Sequence, residues 1–178
     1  MPTETTSAPR SSVQARQLRV FERDRWLCRS CRRPVIFAPA MKLLAVFQHH
    51  RGAATTVPAY YHTNWSRKHS PLLDELGACI DHVTAKEKGG SNDFENLATL
   101  CSKCNMRKGT LEVAEHLQRN PPPRKIKAKY GEPTDWDGLS GLFITLANEH
   151  AMALSQTDRE WLRALTASRS ASQGKDSE

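Results

Sequence analysis

Four polar residues between positions 81 and 108 have side chains that could together bind and hydrolyse a phosphate ester. Asp81 and Asn105 each offer a side-chain oxygen, the type of ligand that a hard, hydrated cation such as Mg²⁺ or Mn²⁺ prefers. His82 follows Asp81 directly, and a neutral imidazole can take a proton from an attacking water near pH 7. Lys108 lies three residues after Asn105, on the same face of a predicted helix, where it could bind the phosphate or offset developing charge.

Two Cys-x-x-Cys pairs, Cys28/Cys31 and Cys101/Cys104, predict a structural zinc site. Four thiolates satisfy tetrahedral Zn²⁺ and leave no open position for water. The pairs are separated by 69 residues, whereas a simple zinc ribbon has about 15 to 20. The metal would therefore close a large loop that contains the Asp-His pair. Four unconnected buried cysteines are the alternative, and the fifth cysteine, Cys79, is expected to be a small core residue.

The charge is unevenly distributed along the 178 residues, whose formal net charge is +7. Arg10–Arg33 and Cys101–Tyr130 each have eight basic and two acidic residues, whereas Gly131–Glu178 has four basic and eight acidic residues. Two basic blocks beside the cysteine pairs are typical of a protein that binds a phosphate backbone. A solvated basic surface without a partner is the alternative.

The cellular setting follows from the absence of apolar segments. No run of residues approaches the length that spans a membrane, and the polar N-terminal residues lack the apolar region of a secretory signal. We therefore expect no membrane association and a reducing, cytoplasmic setting, in which paired cysteines bind metal more often than they form disulfides. The sequence leaves the oligomeric state open.

The predicted elements place these residues. "VQARQLRVFERDRW" is predicted to be a helix that delivers the first cysteine pair, and "AMKLLAVFQHH" a short helix. "LLDELGACIDHV" is predicted to be two short strands or one bent strand, with the bend at Gly77. "SKCNMRKGTLEVAEHLQR" is predicted to be a single helix, and two further helices close the chain.

Several motifs occur in the order that the HNH endonuclease family shows, and the chain resembles that family over residues 16–33 and 79–109. "VFERDRWLCRSC" is similar to the family's lead-in to its first zinc knuckle. The other matching motifs are Asp81-His82-Val83, Gly89-Gly90, Asn96-Leu97 and Leu100-Cys101-x-x-Cys104-Asn105-x-x-Lys108-Gly109. The proline that usually follows the Asp-His pair is absent here, which we interpret as loop variation.

The resemblance implies an α+β fold with a ββα-metal core, in which a hairpin carries Asp81 and His82 and a helix carries Asn105. It implies that Asp81 and Asn105 hold a catalytic Mg²⁺ or Mn²⁺, that His82 is the general base, and that Asn96 braces the loop and holds His82 in orientation. The ion would stabilise the transition state and the leaving oxygen. The implied product is a cleaved phosphodiester in DNA, most naturally double-stranded DNA.

The predicted organisation has a nuclease domain with an insertion before the hairpin, followed by C-terminal helices. The predicted segments are a disordered tail (1–12), the nuclease domain (13–120) with its insertion (34–76), a basic linker (121–134), a helical segment (135–168) and a second disordered tail (169–178). Within the insertion, "YYHTNWSRKHS" interleaves aromatic and basic residues. Such residues can stack on bases or pack a small subdomain, and we favour packing.

The sequence therefore predicts a zinc-stapled, metal-dependent DNA endonuclease of the HNH type. The first alternative is a non-catalytic, zinc-dependent nucleic-acid-binding protein on the same scaffold. The intact Asp81, His82 and Asn105 argue against it, because binding alone requires none of them. A zinc-stabilised protein-interaction module is a second alternative, which fits poorly with the two basic blocks.

Overall fold

The structure is a computed structural model that describes residues 12–50, 75–121 and 135–173. The described elements are the helices α1 (Val13–Arg23), α2 (Ala38–His50), α3 (Ser102–Lys108), α4 (Val113–Arg119), α5 (Ser140–Glu149) and α6 (Gln156–Gln173), the strands β1 (Ala78–His82) and β2 (Leu97–Cys101), and three short 3₁₀ turns (Lys86–Lys88, Phe94–Asn96 and Ala151–Ala153). Within these ranges, no helix is long and apolar enough to cross a membrane. The mixed architecture with a small two-stranded sheet agrees with the predicted α+β class.

The two strands form an antiparallel pair that ends at the Asp-His pair. Ala78 lies opposite Cys101, and His82 lies opposite Leu97. All five residues of β2 are buried, whereas those of β1 are half-buried. The helix α3 starts directly after β2, so the second cysteine pair spans the junction between strand and helix.

Helix α1 covers the open edge of β2 through polar side chains. The Asp24 carboxylate accepts a hydrogen bond from Thr99 N at 2.8 Å. Arg23 donates to the carbonyl oxygens of Leu97 at 2.6 Å and Phe94 at 2.9 Å, and its guanidinium lies 4.6 Å from the Phe94 ring centroid. These contacts satisfy backbone groups that a neighbouring strand would otherwise satisfy, and they fix α1 to the sheet.

Aromatic side chains join the beginning of the chain to the C-terminal helices. The Phe37 ring packs edge-on against Phe143 and Trp161, with centroid distances of 5.3 and 4.9 Å. Trp26 packs against Phe37 from the other side at 5.9 Å. The C-terminal helices therefore belong to the same hydrophobic core as the segment around the first cysteine pair.

Two helices differ from the prediction. The single helix predicted over Ser102–Arg119 is wrong, because Gly109 adopts a positive φ of 53° that ends α3, and α4 starts four residues later. Helix α6 continues to Gln173, five residues beyond the predicted boundary at 168. In this last part of the helix, Arg169 forms an ion pair with Asp137 at 2.9 Å, and the hydroxyls of Ser170 and Ser172 donate to carbonyl oxygens one turn earlier.

Several predicted segments lie outside the described residues. These are positions 1–11 of the first predicted tail, the aromatic and basic segment "YYHTNWSRKHS", most of the predicted linker and the last five residues. Residues 34–50 of the predicted insertion contribute Val35, Phe37 and Leu43 to the hydrophobic core.

A glycine-to-alanine pair tests the packing of the C-terminal segment on Trp26. Gly138 has φ of 68°, and a Cβ built there lies 2.2 Å from the Trp26 ring. Gly89 also has a positive φ, 83°, but a Cβ there meets nothing within 4 Å. We expect Gly138→Ala to lower the free energy of unfolding by about 2–4 kcal/mol and Gly89→Ala by only about 1 kcal/mol. Urea unfolding in zinc-containing buffer measures both, and equal losses would contradict the close packing.

Candidate functional site

The four predicted zinc ligands lie together. The sulfur atoms of Cys28, Cys31, Cys101 and Cys104 are all within 4.8 Å of one another. The Cys31 and Cys101 sulfurs are 3.8 Å apart, which is about the edge of a tetrahedron with Zn–S bonds of about 2.3 Å. The donor set and its spacing therefore fit zinc, whereas the Cys79 thiol contacts Gly77 and Ser102 instead.

Both Cys-x-x-Cys turns direct a backbone N–H at a sulfur. Cys31 N lies 3.5 Å from the Cys28 sulfur, and Cys104 N lies 3.5 Å from the Cys101 sulfur. The second turn is also the start of α3, where the Cys101 side chain caps the helix. Donors aimed at the sulfurs stabilise thiolates, the form that binds metal.

Negative charge on the four sulfurs favours the binding of a cation. Thiolates at this spacing repel one another, so the thiols share protons unless a cation joins them. Hydrogen bonds with Cys104 and Cys28 lower the pKa of Cys101 to about 6, whereas the contact with Cys101 raises the pKa of Cys28. A hydrogen bond to Cys31 raises the pKa of Arg33, so one guanidinium already offsets part of the negative charge.

A buried histidine that the sequence did not single out supports the first cysteine turn. His116, on α4, is 1% exposed. Its Nε2 lies 2.9 Å from the hydroxyl of Ser30, between the two cysteines of the turn. Burial lowers the pKa of His116, which favours the neutral ring. In the sequence, the spacing between His116 and the other candidate ligands matched no metal site. Its contact with the cysteine turn depends on how α4 packs against that turn.

Asp81 and Lys108 meet at the far end of the hairpin. The Asp81 Oδ1 atom accepts a hydrogen bond from His82 N at 2.7 Å, and Oδ2 lies 3.0 Å from the Lys108 ammonium. Oδ2 is buried and lacks a hydrogen-bond partner. The contact lies outside hydrogen-bond geometry, so the carboxylate and the ammonium interact as an ion pair. The Lys108 side chain is 2% exposed, so the ammonium expected near a phosphate is paired with the carboxylate.

The imidazole of His82 is oriented by a loop residue. His82 Nε2 lies 3.0 Å from Asn92 Oδ1. An amide oxygen only accepts hydrogen bonds, so in this contact Nε2 is the donor. The sequence gave no signal that Asn92 reaches back across ten residues to His82.

Asn96 ties the same loop to the end of β1. Its side chain accepts from Thr84 N at 2.8 Å and donates to the carbonyls of Thr84 at 3.2 Å and Ser91 at 2.7 Å. A Cβ at Gly90 would lie 1.9 Å from Thr84 O and 2.9 Å from the Asn96 amide nitrogen. This position therefore requires glycine, and the Gly-Gly motif has a packing reason.

Asn105 lies on the helix that brings Lys108 to Asp81. It is half-buried and stands one turn before Lys108 in α3. Residues three apart share a helix face, so Asn105 and Lys108 lie on the same side of α3. The Asp-His pair therefore lies at the end of the hairpin, and α3, which starts at the cysteine cluster, carries Asn105 and Lys108.

Alanine substitution of the cysteines tests the cluster. We expect Cys101→Ala to lose zinc and the cooperative thermal transition, because metal binding and folding are coupled in such sites. Cys79→Ala is the matched control on the neighbouring strand, and it should keep one zinc ion per chain. Elemental analysis with thermal unfolding measures both properties. Soluble, cooperatively folded wild-type protein that contains no zinc would contradict the assignment.

Comparison with known protein families gives one match. Residues 70–111 match the family model described as HNH endonuclease. The matched span includes the Asp-His pair, Asn96, the second cysteine pair and Asn105, and it leaves out the first cysteine pair. No curated protein and no solved structure matched the chain. The match indicates a nuclease-type function, and over residues 70–111 the chain is similar to the HNH endonuclease family, as its motifs predicted.

Proposed function

We propose that the protein is a metal-dependent endonuclease of the HNH type that hydrolyses phosphodiester bonds in double-stranded DNA. One observation carries the proposal: the Asp-His pair ends a hairpin against a helix that starts at the four-cysteine cluster. In this proposal β1, β2 and α3 form the ββα-metal unit of the family. Zinc holds the unit together, and a second, divalent ion supports the chemistry.

Asp81 and Asn105 would hold Mg²⁺ or Mn²⁺. Their carboxylate and amide oxygens are ligands that these hard cations prefer. The buried Oδ2 of Asp81 lies 3.0 Å from the Lys108 ammonium, so a divalent ion would bind a carboxylate that already attracts positive charge. When bound, the ion would stabilise negative charge on the phosphate and on the leaving oxygen.

His82 is the proposed general base. With Nε2–H donated to Asn92, the lone pair on Nδ1 can accept the proton from the attacking water. The water oxygen forms a bond to phosphorus as the bond to the 3′ oxygen breaks, and solvent supplies the proton that the leaving oxygen takes. Asn92 is a positioning residue in this scheme, because it fixes which nitrogen is free.

The loop between the strands keeps this arrangement in place. The three hydrogen bonds of the Asn96 side chain close the loop onto Thr84 and Ser91, next to the residue that orients His82. A closed loop preserves the near-attack geometry that a general base requires. Asn96 is therefore a positioning residue in this proposal, and it acts through the loop.

Exposed arginines on the first basic block would contact the DNA backbone. The exposed residues include Arg16, Arg25, Arg29 and Arg32. They lie on α1 and around the first cysteine turn, so zinc also fixes these positive charges relative to the hairpin. A reducing setting favours cysteine pairs that bind metal over disulfides, so the proposed location is cytoplasmic.

A non-catalytic nucleic-acid-binding protein is the second candidate. The Asp81–Lys108 ion pair favours it, because the carboxylate already has a cationic partner at 3.0 Å. That reading assigns no purpose to the His82–Asn92 contact, and it predicts that no divalent ion produces cleavage.

Substitution of His82 separates the two candidates. We expect His82→Ala to reduce the cleavage rate by about 10²- to 10⁴-fold, since a general base is needed when water attacks. Zinc content, folding and DNA binding should remain near wild type, because none of them requires a general base. Asp81→Ala and Asn105→Ala should also be inactive but partly rescued by excess Mn²⁺, which should not rescue His82→Ala. Plasmid nicking measures the rates. Undiminished nicking by well-folded His82→Ala protein would falsify the assignment of the base.

Salt dependence tests the backbone contacts. The affinity for duplex DNA should fall with salt with a log–log slope of several units. Combining Arg29→Gln with Arg32→Gln should reduce the slope by about two, because each lost phosphate contact removes about one unit. Arg159→Gln, an exposed position in the acidic part of the chain, should leave the slope unchanged. A flat titration, or equal effects at all three arginines, would count against this surface.

A further inference from the structure

The Lys108 ammonium occupies one side of a carboxylate that the proposed function assigns to a metal ion. Its side chain is 2% exposed, that of Asp81 is 19% exposed, and the two charged groups are 3.0 Å apart. Two long side chains that meet by chance at a surface are mobile and screened by solvent. This pair is largely excluded from water, so its charges interact strongly with each other and with any ion bound beside them.

The position of Lys108 is fixed by the backbone around it. It is the last residue of α3, and Gly109 ends the helix with its N–H on Asn105 O at 3.2 Å. The other end of the helix is held by Cys101 and Cys104 in the cysteine cluster. A positive charge is also favoured at a helix C-terminus. The ammonium is therefore held beside Asp81 by elements that are themselves tied down.

The two oxygens of Asp81 are already in use. Oδ1 accepts the hydrogen bond from His82 N, and the buried Oδ2 faces Lys108. A divalent ion must therefore share the carboxylate with the ammonium or displace it. In both cases positive charge on Lys108 opposes the ion, because the charges have the same sign and lie in a region that water screens poorly.

We propose that Lys108 is a positioning residue that neutralises and holds Asp81 before a divalent ion binds, and that it keeps the affinity for that ion low. The inference rests on the proposed function, since it takes Asp81 as a metal ligand. It assigns Lys108 a different role from phosphate binding, and it explains how the buried carboxylate oxygen of Asp81 is tolerated.

Replacement of Lys108 by a neutral side chain tests the proposal through metal binding alone. We expect Lys108→Met in zinc-loaded protein to bind Mn²⁺ at least about tenfold more tightly than wild type, measured by the electron paramagnetic resonance signal of free Mn²⁺. The matched control is Lys103→Met, which removes the same charge from the same helix, where Lys103 pairs with Glu75 at 2.9 Å. This control should bind Mn²⁺ as wild type does.

The outcomes separate this inference from the proposed function. Mn²⁺ binding that Asp81→Asn abolishes but Lys108→Met leaves unchanged or weakens would overturn the role of Lys108 and leave the nuclease proposal standing. Equal tightening by Lys108→Met and Lys103→Met would overturn the role too, because it would reflect net charge alone. No Mn²⁺ binding by any variant would overturn both proposals.

A second variant covers loss of folding. Lys108→Gln removes the charge but keeps a donor for Asp81, and it should show the same tightening. Lys108→Met and Lys108→Gln could both lack a thermal unfolding transition in buffer that keeps zinc bound but contains no Mn²⁺. In that case added Mn²⁺ should restore the transition, because the ion replaces the positive charge of Lys108. Failure of Mn²⁺ to restore folding would overturn the proposal.

Discussion

The convergence of four cysteine sulfurs within 4.8 Å of one another is the constraint on which the rest of the site depends. Cys28 and Cys31 follow α1, whereas Cys101 and Cys104 join β2 to α3, so a metal ion bound by all four would connect segments 69 residues apart in the chain. The side-chain hydrogen bonds from α1 to β2 support the same contact, but they are few and partly exposed. Because α3 begins at the cluster, fixing the metal also fixes the direction in which that helix runs toward Asp81.

Negative charge is concentrated in two separate parts of the site, the cysteine cluster and the hairpin end. At the cluster, Arg33 offsets part of the negative charge, and a soft metal such as zinc would balance the rest. At the hairpin end, the Asp81 carboxylate is balanced by Lys108, and His82 is half-buried. A structural metal and an exchangeable one can coexist because thiolates select zinc, whereas carboxylate and amide oxygens select Mg²⁺ or Mn²⁺.

The parts of the fold that local chemistry determines were predictable from the sequence. Ligand spacing predicted the cysteine cluster, and apolar periodicity predicted α1 and α2. The break at Gly109 was missed because a glycine inside a helical pattern does not reveal whether its φ is positive. The Asn92–His82 and Lys108–Asp81 contacts were missed because each depends on how the hairpin, its loop and α3 meet in space. The shared core of α5 and α6 with Phe37 is likewise non-local, and no spacing along the chain encodes it.

In the proposed mechanism, zinc holds the scaffold while a different, exchangeable ion enables hydrolysis. Wild-type protein that carries one zinc ion can be incubated with supercoiled plasmid, with and without Mg²⁺ or Mn²⁺, and zinc content and nicking measured on the same sample. We expect nicking to begin only when Mg²⁺ or Mn²⁺ is added and to stop when that ion is chelated, while the zinc stays bound. Nicking that needs no ion besides zinc, or intact zinc-loaded protein that is inactive with both ions, would contradict it.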